Sequence, residues 1–148
     1  MVFIATIFIA CEEKVDAPAK IKSSFEQKYP DTKVIEWEFD NEDKMWEAEF
    51  KMGKPELTAV FSENGDWVET EQEIKKKDLP QPVRATLQSE FAEYDIEETE
   101  FVETPEGKFY EIEVELEKKD SEIEIELLIS PDGKVIKKEE EQDEEDKK

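Results

Sequence analysis

Val34-Ile35-Glu36-Trp37-Glu38-Phe39-Asp40 is followed by Lys44-Met45-Trp46-Glu47-Ala48-Glu49-Phe50, then Glu56-Leu57-Thr58-Ala59-Val60-Phe61, then Ser62-Glu63-Asn64-Gly65-Asp66-Trp67. Apolar and charged residues alternate along these runs, the mark of a strand with one buried and one wet face. Trp37 and Phe39 point one way; Glu36, Glu38 and Asp40 point the other. Trp46, Ala48 and Phe50 oppose Glu47 and Glu49 in the same manner. Asn64-Gly65 predicts a hairpin with a type I′ turn, because that turn needs positive φ. The stretch predicts an antiparallel meander with an aromatic inner face and an acidic outer face.

Outward from the meander, Ala17, Ile21, Phe25 and Tyr29 recur every four residues and form one helical stripe. Pro18 suits the first turn of that helix, and Tyr29-Pro30 ends it. Downstream, Thr70-Glu71-Gln72-Glu73 reads as a capping box, with a short helical turn through Ile74 and the lysines. Val83, Leu87, Phe91 and Tyr94 predict a second helix. Four strands should follow, near 96–103, 108–118, 121–130 and 134–138. Pro105-Glu106-Gly107, Lys119-Asp120 and Asp132-Gly133 supply the turns. From Glu139 the chain is almost wholly charged, so residues 139–148 are expected to be a disordered acidic tail.

Composition narrows the function classes. The 148 residues are 43% charged and 36% hydrophobic, with a formal net charge of -23. Such a surface repels nucleic acid phosphates and anionic membranes, and accepts a basic protein or a cation. Nine Phe, three Trp and three Tyr, placed periodically, argue for a folded chain. There is no His, which removes the commonest acid–base group and metal ligand. The single Cys rules out an internal disulfide. No Ser-His-Asp, Cys-His or phosphate-cradling Gly motif occurs, so no enzyme is predicted, and no cofactor. The three Trp read as core and rim aromatics, with Trp67 the least determined because it follows a turn.

Residues 1–11 form an apolar run too short to span a bilayer as a helix. It fits the core of a secretory signal. Phe8-Ile9-Ala10-Cys11 resembles a bacterial lipobox, which implies cleavage before Cys11 and lipid attachment there. No Lys or Arg precedes the run, a departure that points to a start upstream of Met1 or a truncated chain. The other reading is a buried strand ending in an inert Cys. Residues 12–17 would be a linker.

The two halves of the remainder match. Pro18 aligns with Pro82, Phe25 with Phe91 and Tyr29 with Tyr94. Trp46 to Phe50 aligns with Tyr110 to Val114, and Phe61 to Gly65 with Ile129 to Gly133. The fold class is therefore α+β. Two helix-plus-four-strand antiparallel meander repeats, residues 18–78 and 79–138, join into one sheet with the helices on its aromatic face. A half of about 60 residues is marginal alone, so the two are expected to share one core and not to fold separately.

The spacing of Pro18, Phe25, Tyr29-Pro30, Val34, Trp37, Trp46 to Phe50, Asn64-Gly65, Trp67, Thr70-Glu71 and Leu79-Pro80 resembles the PepSY-like family. That family is also described as beta-lactamase-inhibitor-like. The match runs over residues 18–136. It implies small exported bacterial proteins, often lipoproteins, with one curved sheet that has an open concave face. It places this chain in the cell envelope, periplasmic or surface-exposed, touching the membrane only through its anchor. In beta-lactamase inhibitor protein that face grips the enzyme. That protein has disulfides and this chain can form none internally, so inhibition of a lactamase or a protease is an analogy of fold alone.

The candidate binding face comprises Glu36, Glu38, Glu47 and Glu49, with Glu111, Glu113, Glu115, Glu122, Glu124 and Glu126 in the second half. Paired strands would set these carboxylates opposite one another, at a cost in stability. The bland reading is a solvated face that guards against edge pairing. The functional reading is a surface for a basic protein or peptide. A weak Ca²⁺ site, suited by hard carboxylate oxygens, or a purely structural role is the alternative. No Asp-rich calcium loop occurs, so no defined metal site is assigned.

Overall fold

The computed structural model describes residues 15–118 and 121–142. Helix α1 (Ala19–Lys28) precedes strands β1 (Val34–Asp40), β2 (Met45–Lys51), β3 (Glu56–Ser62) and β4 (Trp67–Glu73). A 3₁₀ turn (Lys76–Asp78) leads to helix α2 (Gln81–Glu90), then β5 (Asp95–Thr104), β6 (Gly107–Lys118), β7 (Ser121–Ile129) and β8 (Val135–Gln142). The eight strands follow one another in the sheet in chain order. The chain divides into two compact units, one holding α1 and β1 to β4, the other α2, most of β5, and β6 to β8.

In the first unit, Pro18 fixes its own φ at -55° and starts α1, while Lys28 in the last turn complements the helix dipole. Ile21 and Phe25 face the strands and are buried. Pairing sets Trp46 against Phe61, Ala48 against Ala59 and Phe50 against Leu57. The small Ala48–Ala59 pair lies between two large rows. The Phe25 ring packs edge-on against Phe50 at 5.1 Å and Trp37 at 5.8 Å between centroids. With Ala17, Ile21 and Phe61 these form the apolar cluster of this unit.

In the second unit, Leu79, Val83 and Leu87 pack on Ile112, Val114, Ile123, Ile125, Leu127 and Ile129. The cluster is mostly aliphatic, and it has no residue in common with the first. Each unit thus has an apolar cluster packed against its own helix.

Several local expectations need correction. Thr70 to Glu73 is not a helix start: the strand runs to Glu73, and Thr70 is buried on its inner side. The helical turn comes later, as the short 3₁₀ segment. Helix α2 is capped by Pro80, with φ -57° and ψ 149°, close to the -55° and 150° of Pro18. By position in the helix, Phe25 thus corresponds to Leu87 and Tyr29 to Phe91, not Phe25 to Phe91. Phe91 is already extended and Tyr94 lies beyond the helix, yet both pack on the cluster. Strand β8 continues through Glu139 to Gln142, where a disordered tail was expected. The Lys119-Asp120 turn and Cys11 lie outside the described residues.

The Asn64-Gly65 turn is also of another type. Gly65 has φ +82°, whereas Asn64 is not among the positive-φ residues. Gly65 N–H donates to the Ser62 carbonyl at 2.8 Å, and Ser62 N–H to the Asp66 carbonyl at 2.9 Å. This is the three-residue hairpin with one left-handed glycine. Gly133 repeats it, with N–H to the Ser130 carbonyl at 2.8 Å and Ser130 N–H to the Lys134 carbonyl at 2.9 Å. Both turns lean on their unit's helix: a Cβ on Gly65 would meet Ser24 Oγ at 2.8 Å, and one on Gly133 would meet the Pro82 carbonyl at 2.7 Å.

Phe25 is 1% exposed and Phe91 8%. Phe25→Ala should cost about 3–5 kcal/mol in urea unfolding, and Phe91→Ala less, because Phe91 lies at the margin of its cluster. Equal small losses would show that the Phe25 contacts do not anchor the first unit.

Candidate acidic faces and their electrostatics

The alternation that buries aromatics on one side of β1 to β3 sends carboxylates to the other. Glu36 pairs with Glu49, and Glu38 with Glu47. Glu47 in turn faces Val60 on β3, and Val60 faces Glu69 on β4. A break in register after Val34 keeps Val34 on the aromatic side with Trp37 and leaves Ile35 55% exposed.

In the second unit, Glu113 pairs with Glu126, Glu115 with Glu124, and Glu117 with Glu122. Glu111 instead faces Leu128. The unexpected length of β8 extends the rows, because Glu126 faces Glu139 and Glu124 faces Glu141. Lys137 lies beside them and holds Glu139 at 2.9 Å. That contact keeps the Glu139 carboxyl below its ordinary value. The sequence carried no alternation to signal this extension, because residues 137–142 are polar at every position.

The rows are not electrostatically equal. Burial, then the charges of Glu38, Asp40, Glu49 and Glu69, push the Glu47 carboxyl up from 4.5 to about 7. Burial first, then Glu124, Glu98, Glu126 and Glu97, also raises Glu113. Val60 is fully buried, so Glu47 has an apolar neighbour on one side and Glu38 on the other. Asp40, Glu69 and Glu98 belong to these surroundings and were not among the residues of the candidate face. Among the described residues, no group of three or more His, Cys, Asp or Glu side chains is disposed to hold a metal ion.

The aromatic side carries one polar knot. Thr70 Oγ1 accepts from Trp67 Nε1 at 2.9 Å and shares a 2.5 Å hydrogen bond with the Tyr29 hydroxyl. Lys28 Nζ lies 3.2 Å from the centre of the Trp67 ring. Trp37, Trp46 and Trp67 all pack against the first cluster, so they are rim aromatics of the core.

These features define an α+β protein of helices and antiparallel strands, with glutamates opposed across paired strands. Residues 13–55 and 44–137 match the family described as "Putative beta-lactamase-inhibitor-like, PepSY-like", and the chain belongs to that family. The motif resemblance is thereby borne out. A DUF2874 family protein from Bacteroides ovatus has a similar fold, with TM-score 0.70 and 22% identity over 85% of this chain and 89% of that one. A BLIP-like protein from Bacteroides fragilis gives TM-score 0.69 and 19% identity, covering 89% and 92%. A protein from Bacteroides eggerthii described as a putative periplasmic protein gives 0.68 and 21%, covering 85% and 90%. No curated protein matches. No helix among the described residues is long and apolar enough to cross a membrane.

Like charges directly opposite destabilise a strand pair. Glu113→Gln should therefore stabilise the protein by about 0.2–1 kcal/mol at neutral pH, and the gain should shrink in about 1 M salt. Urea midpoints with and without salt measure this; a loss of stability in low salt would mean that Glu113 makes a net favourable contact.

Proposed function

We propose that the protein is a non-enzymatic binding module of the bacterial envelope, presenting acidic strand faces to a basic protein or peptide. The observation that carries this reading is the register that places Glu36 opposite Glu49, Glu38 opposite Glu47, Glu113 opposite Glu126 and Glu115 opposite Glu124. A face that tolerates opposed like charges gains from a cationic partner, which screens the repulsion and is drawn in by the field. The described fold and the family's inhibitor-like character favour binding over catalysis. The periplasmic description of one similar structure supports an envelope location. The domain is proposed as a tandem of two helix-and-four-strand halves, residues 18–78 and 79–138. The matching proline caps and glycine turns support that reading.

Titration of the full chain with a lysine-rich peptide should give binding that weakens with salt. Changing Glu111, Glu113, Glu124 and Glu126 to Gln should weaken it further than changing the exposed Glu26, Glu42, Glu63 and Glu93, which removes the same net charge. Equal losses in the two variants would reduce the effect to net charge and remove the face as a binding surface.

The location is proposed to depend on a lipid at Cys11, as the Phe8-Ile9-Ala10-Cys11 pattern implies. Cys11→Ser, expressed behind a functional basic leader, should shift the protein from the membrane to the soluble fraction. It should also abolish incorporation of a fatty-acid analogue. Labelling that survives the substitution would overturn the anchor.

A further inference from the structure

We propose that the Glu38–Glu47–Val60–Glu69 row, in which two carboxylates oppose each other beside a valine sealed from water, is a pH-responsive element that strengthens the β1–β4 meander on acidification. The geometry begins with the register. Glu47 has Glu38 directly across on β1 and Val60 directly across on β3, with Glu69 beyond Val60 on β4. Residues directly opposite have Cβ atoms only about 4.5–5.5 Å apart, so the Glu38 and Glu47 carboxylates crowd each other. Val60 is 0% exposed and offers Glu47 no polar partner from its side chain.

The groups that face Glu47 come from every strand around it. From β1 they are Glu38 and Asp40; from its own strand, Glu49; from β4, Glu69; each raises its proton affinity. Strand β3 contributes Val60 and, on the same side, Thr58 and Ser62, which do not ionise at these pH values. Lys51, further along the same side of β2, is held by Glu56 at 3.0 Å. The second unit differs, because its corresponding row ends at Glu139 beside Lys137. Glu113 is raised there as well, but its row includes a lysine, and the proposed element is that of the first unit.

The sign of the effect follows from proton counting. A carboxyl that titrates near 7 when folded and 4.5 when unfolded binds more protons in the native state between those values. Stability then falls as pH rises across that window and levels off above it. Protonation removes one charge from the row and lets Glu47 donate a hydrogen bond to a neighbouring carboxylate. A modest acidification of the surroundings thus tightens the meander and makes its outer face less negative.

The test uses the full chain, with side-chain carboxyl NMR titration and urea midpoints at about pH 5, 6, 7 and 8. The Glu47 signal should titrate near neutrality, and Glu38→Gln or Glu69→Gln should move its midpoint down. Glu47→Gln should flatten the loss of stability between pH 5 and 8, whereas Glu113→Gln should leave most of it. A Glu47 midpoint below about 5 would overturn the proposal. So would an unchanged stability slope in Glu47→Gln. Should Glu47→Gln fail to fold, the Glu38→Gln and Glu69→Gln midpoints decide it.

Discussion

The contact of Phe25 with Phe50, Trp37 and Phe61 sets the terms for the first unit. A ring of that size, buried between a helix and three strands, fixes which side of each strand faces inward. The side-chain period of a strand is two, so a slip of one residue would carry Trp37, Trp46 and Phe50 into water. Once those aromatics are committed, Glu36, Glu38, Glu47 and Glu49 have only the other side to occupy. The crowding of carboxylates is thus a consequence of core packing as much as a feature of the surface. The same logic operates in the second unit, where Ile112, Val114, Leu127 and Ile129 commit Glu113 and Glu115.

That dependence explains what the sequence made legible. Where apolar and acidic residues alternate over several positions, as in Val34 to Phe50, both the strands and their outward carboxylates followed from pattern alone. That carboxylates of the two long alternating runs would lie opposite one another also followed from pattern, whereas the particular pairs Glu113–Glu126 and Glu115–Glu124 came from the register. Where the pattern had two meanings, local reading failed. Thr70 to Glu73 matches a helix cap in letters, but tertiary contacts with Tyr29 and Trp67 hold Thr70 in a strand. Residues 139–142 carry no apolar side chain, yet backbone pairing with β7 makes them a strand. The sequence also could not separate Glu47 from Glu38. They differ by position in the sheet: Glu47 is flanked on both sides, and its neighbour Val60 is sealed from water.

The glycine turns show the same dependence from the opposite direction. Gly65 and Gly133 are needed for a left-handed backbone and also for space, since each turn sits against its own helix. Thr86 reinforces the second contact by donating to the Gly133 carbonyl at 2.6 Å. Strand ends and helix are thereby held together by main-chain atoms as well as by side chains. This couples the last strand pair of each unit to the helix that begins it.

All three tryptophans, at 37, 46 and 67, lie in the first unit. Indole emission therefore originates in the first unit, whereas the described aromatics of the second are phenylalanines and the tyrosines at 94 and 110. Trp67 sits beneath the Lys28 ammonium with its ring nitrogen engaged by Thr70, an environment unlike that of the other two. The protein thus carries a spectroscopic asymmetry. Fluorescence follows loosening around α1 and β4, while far-ultraviolet dichroism sums over both units. A gap between the two signals during unfolding would set the tryptophan surroundings apart from the chain as a whole without any added label.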